Sequence, residues 1–288
     1  MRRDATVELA TGIGPAAAAL PEPPLPEPPL PEPPLPEPPP LTMSCALFLD
    51  IDGTLIDLAP TPTGVEIDQA ISALLPALSY RLGGAVALIT GRTIDDAQAL
   101  FPTAGLLIAG QHGLERQGSD GRAHQHTERP AGFGWLLHEL HALVAAHEGL
   151  LLEDKGATIA VHYRLAPDLA GLVERTLTAL LDRSGAAGAD WHLQHGKSVI
   201  EIKPAGRDKG AAILDYMAEP TFERRLPVFI GDDLSDEFGF AAVQMMNGWA
   251  VKAGPGPTRA QFRLPDVAAV RHWLAQLLRQ PSLDGGLP

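Results

Sequence analysis

Two aspartates one residue apart, Asp50 and Asp52, close an apolar run in the segment Phe48-Leu49-Asp50-Ile51-Asp52-Gly53-Thr54-Leu55. Alternate side chains of an extended chain share a face, so the two carboxylates point the same way. Acids held that close repel each other, which raises a pKa or recruits a cation. Gly53 suits the turn that must follow.

Other polar words end other apolar runs. Thr90-Gly91-Arg92 follows the run 85–89, and Gly110-Gln111-His112-Gly113 follows 106–109. The run 228–230 ends in Gly231-Asp232-Asp233-Leu234-Ser235-Asp236-Glu237, four acids within six residues. A divalent ion with oxygen ligands removes the conflict among such acids. Lys209, in Arg207-Asp208-Lys209-Gly210, opens a helix. That end disfavours a cation unless an anion lies opposite.

The elements that must position these residues alternate. Asp68 caps a helix with the stripe Ile71, Leu74, Leu75, Leu78 and Leu82, in which Pro76 is a place to kink. Thr93 and Asp96 have capping-box spacing for a second helix. Strand, helix, strand, helix, strand with apolar strands throughout predicts an α/β core with a parallel sheet, its polar strand ends gathered at one edge.

Between the two parts of this core, 43–114 and 205–288, the pattern changes. Residues 115–204 read as αββαββ, an antiparallel sheet with two helices on one face, and so an inserted α+β cap over the catalytic edge. Period-two alternation turns Ile159, Val161, Tyr163, Ile200 and Ile202 toward the cap helices. His162, Arg164, Glu201 and Lys203 fall on the open side, as a surface for sugar hydroxyls. Hinges are expected at 115–118 and 203–206, where glycine or proline marks both crossings.

Composition bounds the partners. A net charge of -13 excludes nucleic acid and an anionic membrane surface, both of which need a basic footprint. No apolar run of about 18 residues offers a membrane span, and the lone Cys45 fits a reducing, cytoplasmic setting. Residues 1–42 carry Pro-Glu-Pro-Pro-Leu repeats, expected as a disordered, extended polyproline arm: a solubilising spacer, or a docking site for an unknown proline-binding partner.

The pattern Asp50-x-Asp52-x-Thr54, with Thr90, Lys209 and the acidic word at 231–237 in that order, resembles the haloacid dehalogenase (HAD) superfamily of phosphatases. Within it, Gly-Asp-Asp-Leu-Ser-Asp-Glu, Thr-Gly-Arg, Gly-Gln-His-Gly-Leu-Glu and Val-Ile-Glu-Ile-Lys-Pro are similar to words of the trehalose-6-phosphate phosphatase family, and the likeness runs from 43 to 280. The resemblance implies a HAD-like Rossmannoid core with a C2-type cap. It makes Asp50 the nucleophile and Asp52 the acid/base, with Thr90 and Lys209 on the phosphoryl oxygens.

The same resemblance implies one Mg²⁺ held by Asp50, the backbone carbonyl of Asp52 and Asp232, with Asp236 steering its waters and Asp233 beside them. Gly91, Arg92, Gln111, His112 and Gly113 join the cap residues as the implied substrate site. The implied reaction is hydrolysis of trehalose 6-phosphate; sucrose-phosphate or another sugar phosphate is the alternative substrate, and a phosphosugar-binding scaffold the non-enzymatic alternative. Asp208 stands where asparagine is common in the family and Ser235 where threonine is usual.

Overall fold

The apolar runs become the centre of an eight-stranded sheet. The computed structural model describes residues 34–59, 64, 67–102, 105–126, 132–184 and 191–281. In chain order the first part of the core is β1 (Cys45–Leu49), α1 (Gln69–Arg81), β2 (Val86–Ile89), α2 (Ile94–Leu100), β3 (Leu107–Gly110), β4 (Glu115–Gln117) and β5 (Ala123–Gln125). The inserted cap holds α3 (Phe133–Ala145), β6 (Leu151–Asp154), β7 (Ile159–His162), α4 (Ala170–Ser184), β8 (Trp191–Gly196) and β9 (Val199–Pro204). The core resumes with α5 (Lys209–Met217), β10 (Leu226–Gly231), α6 (Asp236–Met245), β11 (Trp249–Ala253), β12 (Phe262–Leu264) and α7 (Val267–Arg279).

The core sheet has the order β12-β11-β10-β1-β2-β3-β4-β5. Pairing is parallel from β12 to β3 and antiparallel for β4 and β5. Strand order runs outward in opposite directions from the β1–β10 pair, so the crevice of this open sheet lies at their carboxyl ends. Leu49 is level with Ile230 on one side and Leu88 on the other. The register therefore brings Asp50, Thr90 and Asp232 to one edge. Every residue of β1 and β2 is buried, as strands covered on both faces require.

Helix entries follow the sequence. The carboxylates of Asp68, Asp208 and Asp266 accept from Ile71 N, Ala211 N and Ala269 N at 2.9, 2.8 and 2.8 Å, caps worth about 1 kcal/mol each. Thr93 caps α2 by accepting from Asp96 N. α1 runs through Pro76 as one helix and packs with α7, while α5 packs with α6.

The cap is a four-stranded antiparallel sheet, β6-β7-β9-β8. Ile159, Val161, Ile200 and Ile202 form its core with Phe133, Leu136 and Leu140 of α3 and Val173 and Leu177 of α4. The apolar face expected from alternation is the face the helices cover.

Two expectations change. The insertion, expected from 115, leaves the core sheet only after Gln125, because β4 and β5 form a hairpin on the β3 edge. These strands are three residues long and polar, as exposed edges are, which hid them from a search for apolar runs. For the same reason the backbone at 115–117 is part of the sheet ladder and is not the crossing between core and insertion. Both crossings meet instead at Arg207, which donates to Gly113 O and to His126 Nε2 at 3.2 and 3.3 Å and pairs with Asp215.

The arm expected over 1–42 lies outside the described residues through 33. Its last repeat is docked: Pro38 and Leu41 are buried. The carbonyls of Pro36, Pro39 and Leu41 accept from Arg263 N, Trp273 Nε1 and Gln280 Nε2. Among the described residues no helix is long and apolar enough to cross a membrane.

Candidate active site

Asp50 leaves β1 into the crevice and is almost wholly buried. Lys209, the first residue of α5, donates from Nζ to Asp50 Oδ1 and to Asp236 Oδ1, both at 2.7 Å. Asp232 follows β10, and ligand oxygens of Asp50, Asp232 and Asp236 lie within 4.8 Å of one another. Thr54 Oγ1 sits between Asp50 Oδ2 and Asp232 Oδ1 at 3.3 and 3.5 Å. Gly53 makes this approach feasible: its φ is +85°, and a Cβ there would lie 2.1 Å from Asp232 Oδ2.

The electrostatics of this cluster are unbalanced. Burial raises the Asp50 carboxyl well above its usual range; Lys209 opposes this, but Asp236 and Asp232 add to it. Burial likewise raises Asp232 against the pull of Lys197, and raises Asp236 to about 7 despite Lys209. Lys209 serves Asp50 and Asp236 together and Lys197 reaches Asp232, yet all three carboxyls stay raised, an arrangement that a hard cation with oxygen ligands would relieve. The donor set fits such an ion.

Asp52 and Asp233 lie apart from that trio. Arg92 Nε and Nη2 donate to the two oxygens of Asp52 at 2.6 Å each, a fork-to-fork pair that fixes the carboxylate at the pocket wall. Asp233 Oδ1 instead accepts from the Ser235 amide and hydroxyl at 2.8 and 2.6 Å. Thr90, buried at the end of β2, lines the same pocket. Gln111 and His112 have φ of 46° and 56°, an uncommon conformation for residues with side chains. It is held by amide bonds from Gln111 to Arg92 O and from His112 to Thr90 O. A Cβ on Gly91 would stand 2.8 Å from the His112 ring, so this close packing requires glycine.

The cap closes the pocket. Its lining brings His162, Arg164 and Glu201 to face Asp50, Asp52, Gly91, Arg92 and His112. Glu201 Oε2 accepts from Lys155 Nζ at 3.0 Å and lies 3.4 Å from His112 Nε2, while its Oε1 and His112 Nδ1 are buried with no partner. Burial pushes Glu201 up, but Lys155 and His112 overcome it and hold the carboxyl below the usual range. Lys203, expected beside Glu201, sends its Nζ to Arg207 O at 2.7 Å and is not among the lining residues; burial lowers its pKa to about 8. Gln111 and Gly113 also lie behind the pocket wall, Gln111 reaching Thr158 Oγ1 at 3.4 Å.

Sequence reasoning missed the cap lysines. Lys155 Nζ also donates to Gly91 O at 2.9 Å, and Lys197 pairs with Asp232 across the crevice. Both sit in the tips of cap hairpins, where Lys155-Gly156 and Gly196-Lys197 read only as turns. The signal was available: two tips of one sheet each carrying a lysine. Arg164 crosses similarly, donating to Ala59 O.

An aspartate pair at the switch point of a parallel sheet, a lysine on the nucleophile, an acid cluster after the neighbouring strand and an inserted cap define a phosphohydrolase of the HAD type. A haloacid dehalogenase-like hydrolase from B. subtilis shares the fold, with a TM-score of 0.54 at 15% identity over 81% of this chain and 99% of that one. The C. albicans trehalose-6-phosphate phosphatase C-terminal domain is nearer, with a TM-score of 0.72 at 19% identity over 81% and 91% of the two chains.

Residues 48–267 match the trehalose-phosphatase family, and the chain belongs to it. A probable trehalose-phosphate phosphatase of Sinorhizobium fredii is 46% identical over 81% of this chain and 87% of its own length. The trehalose-6-phosphate phosphatase of Escherichia coli is 40% identical over 82% and 88%.

Proposed function

We propose that this chain hydrolyses trehalose 6-phosphate to trehalose and inorganic phosphate, the closing step of trehalose synthesis, in the cytoplasm. The observation that carries the chemistry is the buried Asp50, gripped by Lys209 and set within one cluster with Asp232 and Asp236. Family membership and the names of the two relatives support the substrate.

In this reading an Asp50 oxygen attacks phosphorus, forming the aspartyl phosphate as the bond to the sugar oxygen breaks. Asp52 gives that leaving oxygen its proton, then takes one from the water that attacks the aspartyl phosphate, so phosphate leaves and both acids are restored. Arg92 holds Asp52 in place for both transfers. Lys209 and Thr90 bind phosphoryl oxygens, where charge accumulates in the transition state. Mg²⁺, bound by the carboxylates of Asp50 and Asp232 and the carbonyl of Asp52, with Asp236 behind them, would neutralise that charge. Asp233 supports the loop through Ser235 rather than as a ligand.

Glu201, with its free Oε1, and its neighbours Lys155, His162, Glu153, Arg164 and Lys197 form the sugar face. Carboxylates and cations interleaved around a pocket suit vicinal hydroxyls, which both donate and accept. The test is phosphate release from a panel of esters with Mg²⁺. Trehalose 6-phosphate is expected to exceed sucrose 6-phosphate and glucose 6-phosphate by about tenfold or more in kcat/KM. Equal rates across the panel would refute the substrate assignment, and no release from any ester would refute the enzymatic one.

A further inference from the structure

Lys252 is a buried lysine that the chemistry above leaves unused. It lies on β11, level with Gly231 of β10, and only 4% of it is exposed. Its strand neighbours Ala250, Val251 and Ala253 are all buried and apolar. An ammonium group in such surroundings is unfavourable unless a specific partner receives it. Burial pulls its pKa down, while Asp232 and Asp236 pull it up.

The partner is a backbone carbonyl. Lys252 Nζ donates to Asp232 O. The peptide that begins with this carbonyl ends with the amide of Asp233, which donates to Asp236 Oδ2 at 2.9 Å. The Asp232 amide donates to the same oxygen at 2.8 Å. A trans peptide is planar, with its C=O and N–H pointing in opposite directions. Lys252 and Asp236 therefore clasp one peptide plane from its two sides. With its own amide held by Asp236 and its own carbonyl by Lys252, the Asp232 backbone is fixed on both sides of Cα, which sets the direction of the Cα–Cβ bond that carries its carboxylate toward Asp50 and Thr54.

We propose that Lys252 is a positioning residue for the reaction: by fixing the Asp232–Asp233 peptide it holds the Asp232 carboxylate at the cation-binding acids without touching substrate or ion itself. The inference rests on reading Asp50, Asp232 and Asp236 as a cation site. Orienting groups behind metal ligands typically change metal affinity by about ten- to a hundredfold. A lysine that merely contributed charge would act in the opposite direction, because deleting a positive charge beside a cation site strengthens cation binding.

Calorimetric titration of Mg²⁺ into the full chain separates these cases. Lys252→Met keeps the length and apolar stem of the side chain but loses the donor. It is expected to bind Mg²⁺ about tenfold or more weakly, with turnover returning toward wild type at saturating Mg²⁺. Lys252→Gln retains an N–H donor without the charge and is expected to recover part of the affinity. Binding by Lys252→Met as tight as wild type, or tighter, overturns the proposal. Should Lys252→Met fail to fold by circular dichroism, Lys252→Gln, one atom shorter than lysine, decides alone: affinity about threefold or more below wild type upholds the proposal, and affinity nearer to wild type than that, or tighter, overturns it. Absence of Mg²⁺ binding by the wild-type chain would be a different failure, that of the cation site.

Discussion

Two sets of buried carboxylates face each other across the crevice, and burial acts on both in the same direction. Glu201 on the cap is nevertheless held below the usual range, because Lys155 and His112 more than offset the desolvation. Asp50, Asp232 and Asp236 on the core are left high, because each acid adds to its neighbour's burden and Lys209 serves two of them at once. The charge of the cap's buried carboxylate is thus balanced by protein groups, whereas the core's carboxylates are short of positive charge that a cation would supply. In the proposed function, recognition and chemistry divide along the same line.

The comparison is broken most severely at the nucleophile. Asp50→Asn keeps the shape and removes the attacking oxygen. It is expected to lower turnover by three or more powers of ten, an increase of roughly 4 kcal/mol in the barrier. Phosphate release measured at saturating Mg²⁺ checks this, and near-normal activity would discard the assignment.

On the cap the expected effect is smaller and of a different kind. Glu201→Gln and Lys155→Met are expected to raise KM for trehalose 6-phosphate by about tenfold with less change in kcat, since they remove binding shared by substrate and transition state. Hydrolysis of phenyl phosphate, which has no sugar, should change little in either variant. Parallel losses on both esters would place these residues in the chemistry and blur the division.

Lys203 gives the smallest effect, in stability. Burial lowers its pKa from 10.5 to about 8, so folding disfavours the charged form. Its contribution to stability is fully present above 10.5 and is lost as pH falls through about 8. Relative to Lys203→Met, the wild-type melting temperature should therefore rise between those two values. A difference flat with pH would contradict the burial argument.

What was legible in the sequence follows from the same contrast. Asp50, Thr90 and Asp232 follow apolar strands directly, and parallel connections bring strand ends to one edge, so residue type and order were enough to collect them. Lys209 was legible as a cation at the wrong end of a helix. Lys155 and Lys197 were missed because each reads locally as a turn residue: what marks them is that two tips of one sheet both carry a lysine, and their meaning depends on where the cap sits. Alternation placed Glu201 and Lys203 on one face correctly, yet it reports side and not depth. Glu201 opens into the pocket, while Lys203 is drawn back to Arg207. Arg92 was expected on substrate and is found on Asp52, because only the fold sets those two loops side by side.

The dependence of the core on a cation is tested most directly by stripping the protein with a chelator and following phosphate release from trehalose 6-phosphate as Mg²⁺ is returned. Release should be absent from the stripped protein and recover saturably with Mg²⁺, while the same titration of Asp50→Asn stays flat. Undiminished turnover in chelator would contradict the reading of Asp50, Asp232 and Asp236 as acids that wait for an ion.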